Sequence, residues 1–204
     1  MFYNILDKKR LSILPLLRNF KADFYLAGGT GLALQIGHRD SVDFDFFSPR
    51  SFDTAKLFIK IKEEFSGHKL QKIQEEKNTL TVILDKSIKL SFFTYKYKLL
   101  KKTLETENLR LASIIDIACM KLSAIVSRAT TKDYVDLYFI LKQESLKMII
   151  KALRRKMPEL DPNLAFKSLT YFQDINREPI RFRNNCNVSF NQVKGFLIRE
   201  TQRL

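Results

Sequence analysis

Phe24-Tyr-Leu-Ala-Gly-Gly-Thr-Gly-Leu-Ala-Leu-Gln-Ile-Gly-His-Arg-Asp-Ser-Val-Asp-Phe-Asp-Phe-Phe47 is the stretch whose reading decides the fold of this chain. Phe24–Ala27 is short and apolar and stops at Gly28-Gly29, as a strand entering a turn does. A short helix follows. Val42–Phe47 then alternates as a second strand, with Val42, Phe44 and Phe46 expected on one face and Asp43 and Asp45 on the other. Each part suits phosphoryl chemistry. Gly28 and Gly29 let backbone approach phosphates, the helix start attracts anions, and Thr30 offers a hydroxyl. Asp43 and Asp45, two apart on a strand, project together and can share Mg²⁺ ions that stabilise an in-line displacement.

Outward from this core the pattern changes character halfway along. Phe52–Phe65 carries Leu57, Phe58, Ile61 and Phe65 at helical spacing. Leu70–Gln74, Thr79–Leu84 and Ile88–Tyr95 read as strands, with turns near Lys77-Asn78 and Asp85–Ser87. After Lys102 the chain turns helical. Ser113 with Asp116 reads as a capping box for a helix to about Ser127. Thr131–Lys142 and Leu146–Lys156 follow, then a helix opened by Asp161-Pro162, a polar loop over Asp174–Asn187 and a last helix over Ser189–Arg203. The fold class expected is α/β: an N-terminal half with a small mixed sheet (1–105), then a C-terminal helical half (106–204), with the boundary near Glu105–Arg110.

Hydrophobic residues at 45% and charged residues at 28% exclude disorder, collagen and coiled coil. No apolar run reaches the ~18 residues of a membrane span, and no cleavage site follows Leu11–Leu17, so no membrane role and a cytoplasmic location are expected. Cys119 and Cys186 make neither a disulfide framework nor a zinc site. A net charge of +14 points to a polyanionic partner, nucleic acid ahead of membrane.

In order and spacing, Gly28-Gly29-Thr30 before Asp43-Phe44-Asp45 resembles the nucleotidyltransferase superfamily. Leu26-Ala-Gly-Gly-Thr, Gly37-His-Arg and Ser41-Val-Asp-Phe-Asp-Phe-Phe narrow the resemblance to its AbiEii/AbiGii-type toxin branch. The helical half is similar to the same branch through Lys121-x₆-Arg128 and Lys132-Asp133-x-x-Asp136. The resemblance implies a metal-dependent enzyme that moves a nucleotide from an NTP to an acceptor hydroxyl, with Mg²⁺ on Asp43 and Asp45. It implies nucleotide binding by Gly28, Gly29, Thr30, Lys121 and Arg128, and roles for Lys121 and Asp133 in catalysis. Lys121 neutralises triphosphate charge, Arg128 clamps it, and Asp133 positions a hydroxyl, takes a proton or holds Lys121. The implied partners are tRNA or other RNA and a cognate antitoxin.

One departure stands out. The superfamily places a third carboxylate on a later strand, and the matching position here is Ser91. Two alternatives follow: transfer to a protein or small molecule, and a degenerate domain that binds nucleotide or RNA without catalysis. His38, with no second His or Cys nearby, reads as a polar loop contact. Phe44, Phe46, Phe92 and Phe93 read as core. Basic runs at Lys96–Lys102, Arg154-Arg155-Lys156 and Arg177–Arg183 make an RNA-binding surface the expectation.

Overall fold

Asp7 starts the first helix: its side chain accepts the Arg10 N–H, and α1 (Lys8–Leu17) follows. Pro15 lacks an amide donor, and the chain tightens just beyond it into a 3-10 turn over Arg18–Phe20. The computed structural model describes residues 1–204. After β1 (Tyr25–Leu26) come α2 (Gly28–Ile36), β2 (Phe44–Ser48) and α3 (Thr54–Glu64). The meander β3 (Leu70–Glu76), β4 (Thr79–Leu84), β5 (Ile88–Thr94) comes next, then a short hairpin, β6 (Leu104–Glu105) and β7 (Arg110–Leu111). Five helices close the chain: α4 (Ile114–Arg128), α5 (Thr131–Leu141), α6 (Leu146–Lys156), α7 (Pro162–Thr170) and α8 (Phe190–Gln202).

The strands form one mixed sheet in the order β3-β4-β5-β2-β1-β7-β6. β2 runs antiparallel to β1 and parallel to β5, and β7 runs parallel to β1. Glu105–Arg110, read from sequence as the boundary between halves, falls inside the hairpin that extends the sheet beyond β1, with Glu105 and Arg110 paired across it. One core packs α1, α3 and the sheet face bearing Leu26, Phe44, Phe46 and Phe92. The other packs α4–α8 against Tyr25, Ala27 and Leu32. Leu111 belongs to the first and Ala112 to the second, the alternation between faces that a strand and its extension produce.

Several expectations shift. Val42 lies ahead of β2 and is exposed, so the alternating strand begins at Phe44. Phe44, Phe46 and Phe92 are buried as expected, whereas Phe93 is half-buried and lines the cleft described below. Only half of the expected capping box forms: Ser113 Oγ accepts the Asp116 N–H, but the Asp116 carboxylate accepts from the Leu100 and Lys101 amides instead. Lys156, counted among surface bases, is buried in an ion pair with Asp116 at 2.7 Å and leaves the basic surface to Arg154 and Arg155. A charge with such a partner is tolerated inside; unpaired it would not be.

Candidate active site

The turn from β1 into α2 sets the site. Gly28 adopts φ +64°, a left-handed conformation that side chains resist, and a Cβ there would stand 3.0 Å from Asp45 Oδ2. The glycine therefore admits the Asp45 carboxylate against the helix start. Gly29 makes a different kind of room: a Cβ there would lie 2.6 Å from Arg39 Nη2. The Thr30 hydroxyl is buried, where it bonds to the Asp43 carbonyl and lies 2.8 Å from Ser41 Oγ. It fixes the approach to β2, so the expected donation from Thr30 to a phosphate finds the hydroxyl already engaged.

Asp43, just ahead of β2, and Asp45, within it, both line the cleft. Asp43 is half-exposed and pairs with Lys89 Nζ at 2.9 Å. Asp45 pairs with Ser91 in the β2–β5 register; its backbone carbonyl accepts the Ala27 N–H at 3.1 Å, whereas its carboxylate accepts no hydrogen bond from a protein donor. Burial raises its pKa, and the neighbouring Asp43 adds to the rise; Lys89, Lys121 and Arg128 oppose it without cancelling it. Its ionised form lacks a cationic partner in contact. Ser91 occupies the place the alternation assigned it, with Oγ 3.4 Å from Thr81 Oγ1.

Behind the carboxylates lies a buried network from the helical half. Lys121 Nζ meets Asp133 Oδ1 at 2.8 Å and Asp136 Oδ2 at 2.5 Å. Arg128 Nε and Nη2 donate to Asp133, as does Thr130 Oγ1. Asp136 is fully buried and accepts from Arg39 Nε and Nη2 at 2.6 and 2.8 Å and from His38 Nε2 at 2.8 Å. Burial alone would raise both carboxyls. Arg39 and Lys121 reverse this for Asp136, and Lys121 and Arg128 do so for Asp133, which leaves both below the usual carboxylate range. Asp133 is thus a fixed anion that holds Lys121 and Arg128, and its occupied oxygens and low pKa make it a poor base. His38, in the loop between α2 and β2, is buried against Phe139, and burial lowers its pKa. The neutral ring donates from Nε2 to Asp136.

Arg39, Lys121 and Arg128 face only Asp133 and Asp136, so the network carries one surplus positive charge. Lys121 has three N–H donors and uses two on carboxylates. Arg128 keeps its Nη1 donors free, on a side chain 63% exposed. Both side chains line a cleft of about 580 Å³ together with Asp43, Asp45, Lys89 and Ser91. An adjoining lobe of about 350 Å³, lined by Phe47, Phe93, Tyr95 and Met120, shares Asp45, Lys121 and Arg128 with it. One lobe is charged and the other aromatic, the division that a nucleotide's phosphates and base require.

The donor set fits a divalent cation held jointly with a ligand. Two carboxylates lining one cleft, one of them without a protein donor, match a hard cation that takes one or two protein carboxylates and completes its shell with phosphate oxygens and water. No group of three or more His, Cys, Asp or Glu side chains assembles here, in keeping with Ser91 at the third position.

Of the residues the sequence singled out, Gly28, Gly29, Asp43, Asp45, Lys121, Arg128 and Asp133 converge on this cleft and its adjoining lobe. Arg39, Asp136 and Lys89 were missed as site residues. Lys89 stands two before Ser91 on β5, and Asp136 stands three after Asp133 on α5; both spacings carried a usable signal.

The model of the family described as nucleotidyl transferase AbiEii toxin, type IV toxin–antitoxin system, matches residues 16–185. An uncharacterised protein of Aquifex aeolicus is 40% identical over 162 residues, which cover 76% of this chain and 77% of that protein. Among solved structures, MenT4, a nucleotidyltransferase toxin of Mycobacterium tuberculosis, superposes with a TM-score of 0.61 at 13% identity, covering 94% of this chain and 80% of its own. JHP933 of Helicobacter pylori gives 0.59 at 17%, covering 97% and 92%. At such identities these two structures speak to the fold.

Proposed function

The chain belongs to the AbiEii nucleotidyltransferase toxin family, and from that premise we propose that it transfers a nucleotide from an NTP to a hydroxyl of RNA, tRNA first, as the toxin of a toxin–antitoxin pair. The observation that carries the reading is the meeting of two carboxylates, Asp43 just ahead of β2 and Asp45 on it, with a fixed lysine and arginine from α4 in one cleft. Asp43 and Asp45 would hold Mg²⁺, which would supply charge stabilisation to the reacting phosphate. Backbone N–H groups at the start of α2 and the free donors of Lys121 and Arg128 bind the triphosphate. Asp133 and Asp136 orient Lys121, and the aromatic lobe receives the base. The acceptor hydroxyl attacks the α-phosphorus in line and pyrophosphate leaves, with positioning and fixed charge supplying most of the acceleration. An RNA substrate sets this work in the cytoplasm, where a cognate antitoxin restrains it.

The net charge of +14 supports a polyanionic acceptor over a protein side chain or small molecule. Incubation with α-labelled NTPs and either total tRNA or cell protein tests this: label in RNA is expected, and label confined to protein contradicts it. Ser91 supports a second reading, a nucleotide-binding domain without catalysis. NTP binding with no transfer to any acceptor would select it.

A further inference from the structure

A second cavity, of about 440 Å³, opens where β2 runs out towards α3, and it shares no lining residue with either lobe of the cleft. Ser48, on its wall, alternates with Asp45 along β2 and so belongs to the opposite sheet face. Arg50, Lys56, Lys60 and Arg110 line it, and none has a carboxylate within 4.0 Å. Lys60 is engaged otherwise, donating to the Asn19 carbonyl at 2.7 Å over the Phe20 ring. Arg110 is the telling member: its Nε is buried and has no hydrogen-bond partner. A buried guanidinium N–H left unpaired is costly, and the same guanidinium adds its charge to the positive set on the cavity wall.

The acids on the wall do not neutralise this set. Asp53 accepts the Lys56 backbone N–H at 3.0 Å, capping α3, and with Asp23 it sets two carboxylates against four cations, a surplus of positive charge. Part of the remaining wall is apolar, with Phe24 and Leu57 buried and Phe52 half-buried. Cations beside an apolar wall suit an organic phosphate better than a bare anion. The volume falls within the range of pockets that enclose one small molecule, not a polymer track.

We propose that this cavity is a binding site for a small phosphate monoester, distinct from the nucleotidyl-transfer cleft, in which Arg50, Lys56 and Arg110 take the phosphate and the Phe24–Phe52 wall takes the organic group. It stands whether or not the cleft transfers nucleotides. The test is calorimetric titration of the full chain with ribose 5-phosphate. One site is expected, and Arg50→Gln or Arg110→Gln should each weaken it by about tenfold or more, since each removes a charge-assisted contact. Lys89→Gln, which strips a cation from the cleft, should leave the affinity unchanged. Arg110 sits in a strand, so if Arg110→Gln unfolds, Arg50→Gln in its exposed loop decides alone. Absence of binding overturns the proposal, as does weakening by Lys89→Gln in place of Arg50→Gln. Binding of tRNA that depends on Arg50 while ribose 5-phosphate does not bind would assign this face to RNA and overturn it too.

Discussion

Asp45 on β2 lies directly across the parallel ladder from Ser91 on β5. The two side chains share the cleft face, so a carboxylate at 91 would sit beside the one at 45. Ser91→Asp should therefore complete a three-carboxylate set and tighten divalent-cation binding about tenfold or more, at the cost of like-charge repulsion in the metal-free chain. Titration with Mn²⁺ reads the affinity and the metal-free melting temperature reads the repulsion. Unchanged affinity would remove Ser91 from the metal site.

Asp45 is held above the ordinary carboxyl pKa by burial. Its favourable contribution is fully present below the unfolded value of 3.8 and is lost as pH rises through the folded value. Asp45→Asn should thus melt no lower than wild type at pH 7, with any gain shrinking as pH falls. A clear drop in melting temperature at pH 7 would make Asp45 a structural residue.

Asp136 behaves in the opposite sense. Arg39 and Lys121 hold its carboxyl well below 3.8, so its stabilisation is present above that pH and is lost as pH falls through the lower folded value. Asp136→Asn leaves Arg39 buried without its counter-charge, a loss of about 3–5 kcal/mol for a broken buried pair. Denaturant melts at pH 7 should show this deficit, and it should narrow in acid. A neutral substitution at pH 7 would mean the network contributes no net stability.

Much of this arrangement was legible in the sequence because it is local. The glycine turn, the Asp43/Asp45 alternation, the two hairpin turns and the helix caps at Asp161 and Ser189 are set by neighbours within a few positions. Ser91 could be placed because strand alternation carries a side-chain direction along β5. What escaped was pairing across the chain. Arg39 and Asp136 are 97 positions apart, and nothing near Arg39 signals that it is buried. His38 read as a polar loop contact without a named partner for the same reason, and Lys156 looked like one base among several until Asp116 met it from another helix.

Arg154 and Arg155 are exposed at the end of α6, next to buried Lys156. If both contact RNA phosphates, replacing both with Gln should weaken all RNA sequences alike and reduce the log–log salt slope by about 2. Binding measured from low to moderate salt checks this. An unchanged slope assigns the RNA-binding face elsewhere.

The most direct test of the central claim is transfer of α-labelled NTP to tRNA by wild type, Asp43→Asn and Asp45→Asn, each with its melting temperature and NTP affinity measured alongside. Loss of metal charge stabilisation should lower the transfer rate by about a hundredfold or more in each variant. Folding should persist, and so should weak NTP binding through Lys121 and Arg128. Full transfer by both variants would contradict the assignment of Asp43 and Asp45 as the metal-holding pair.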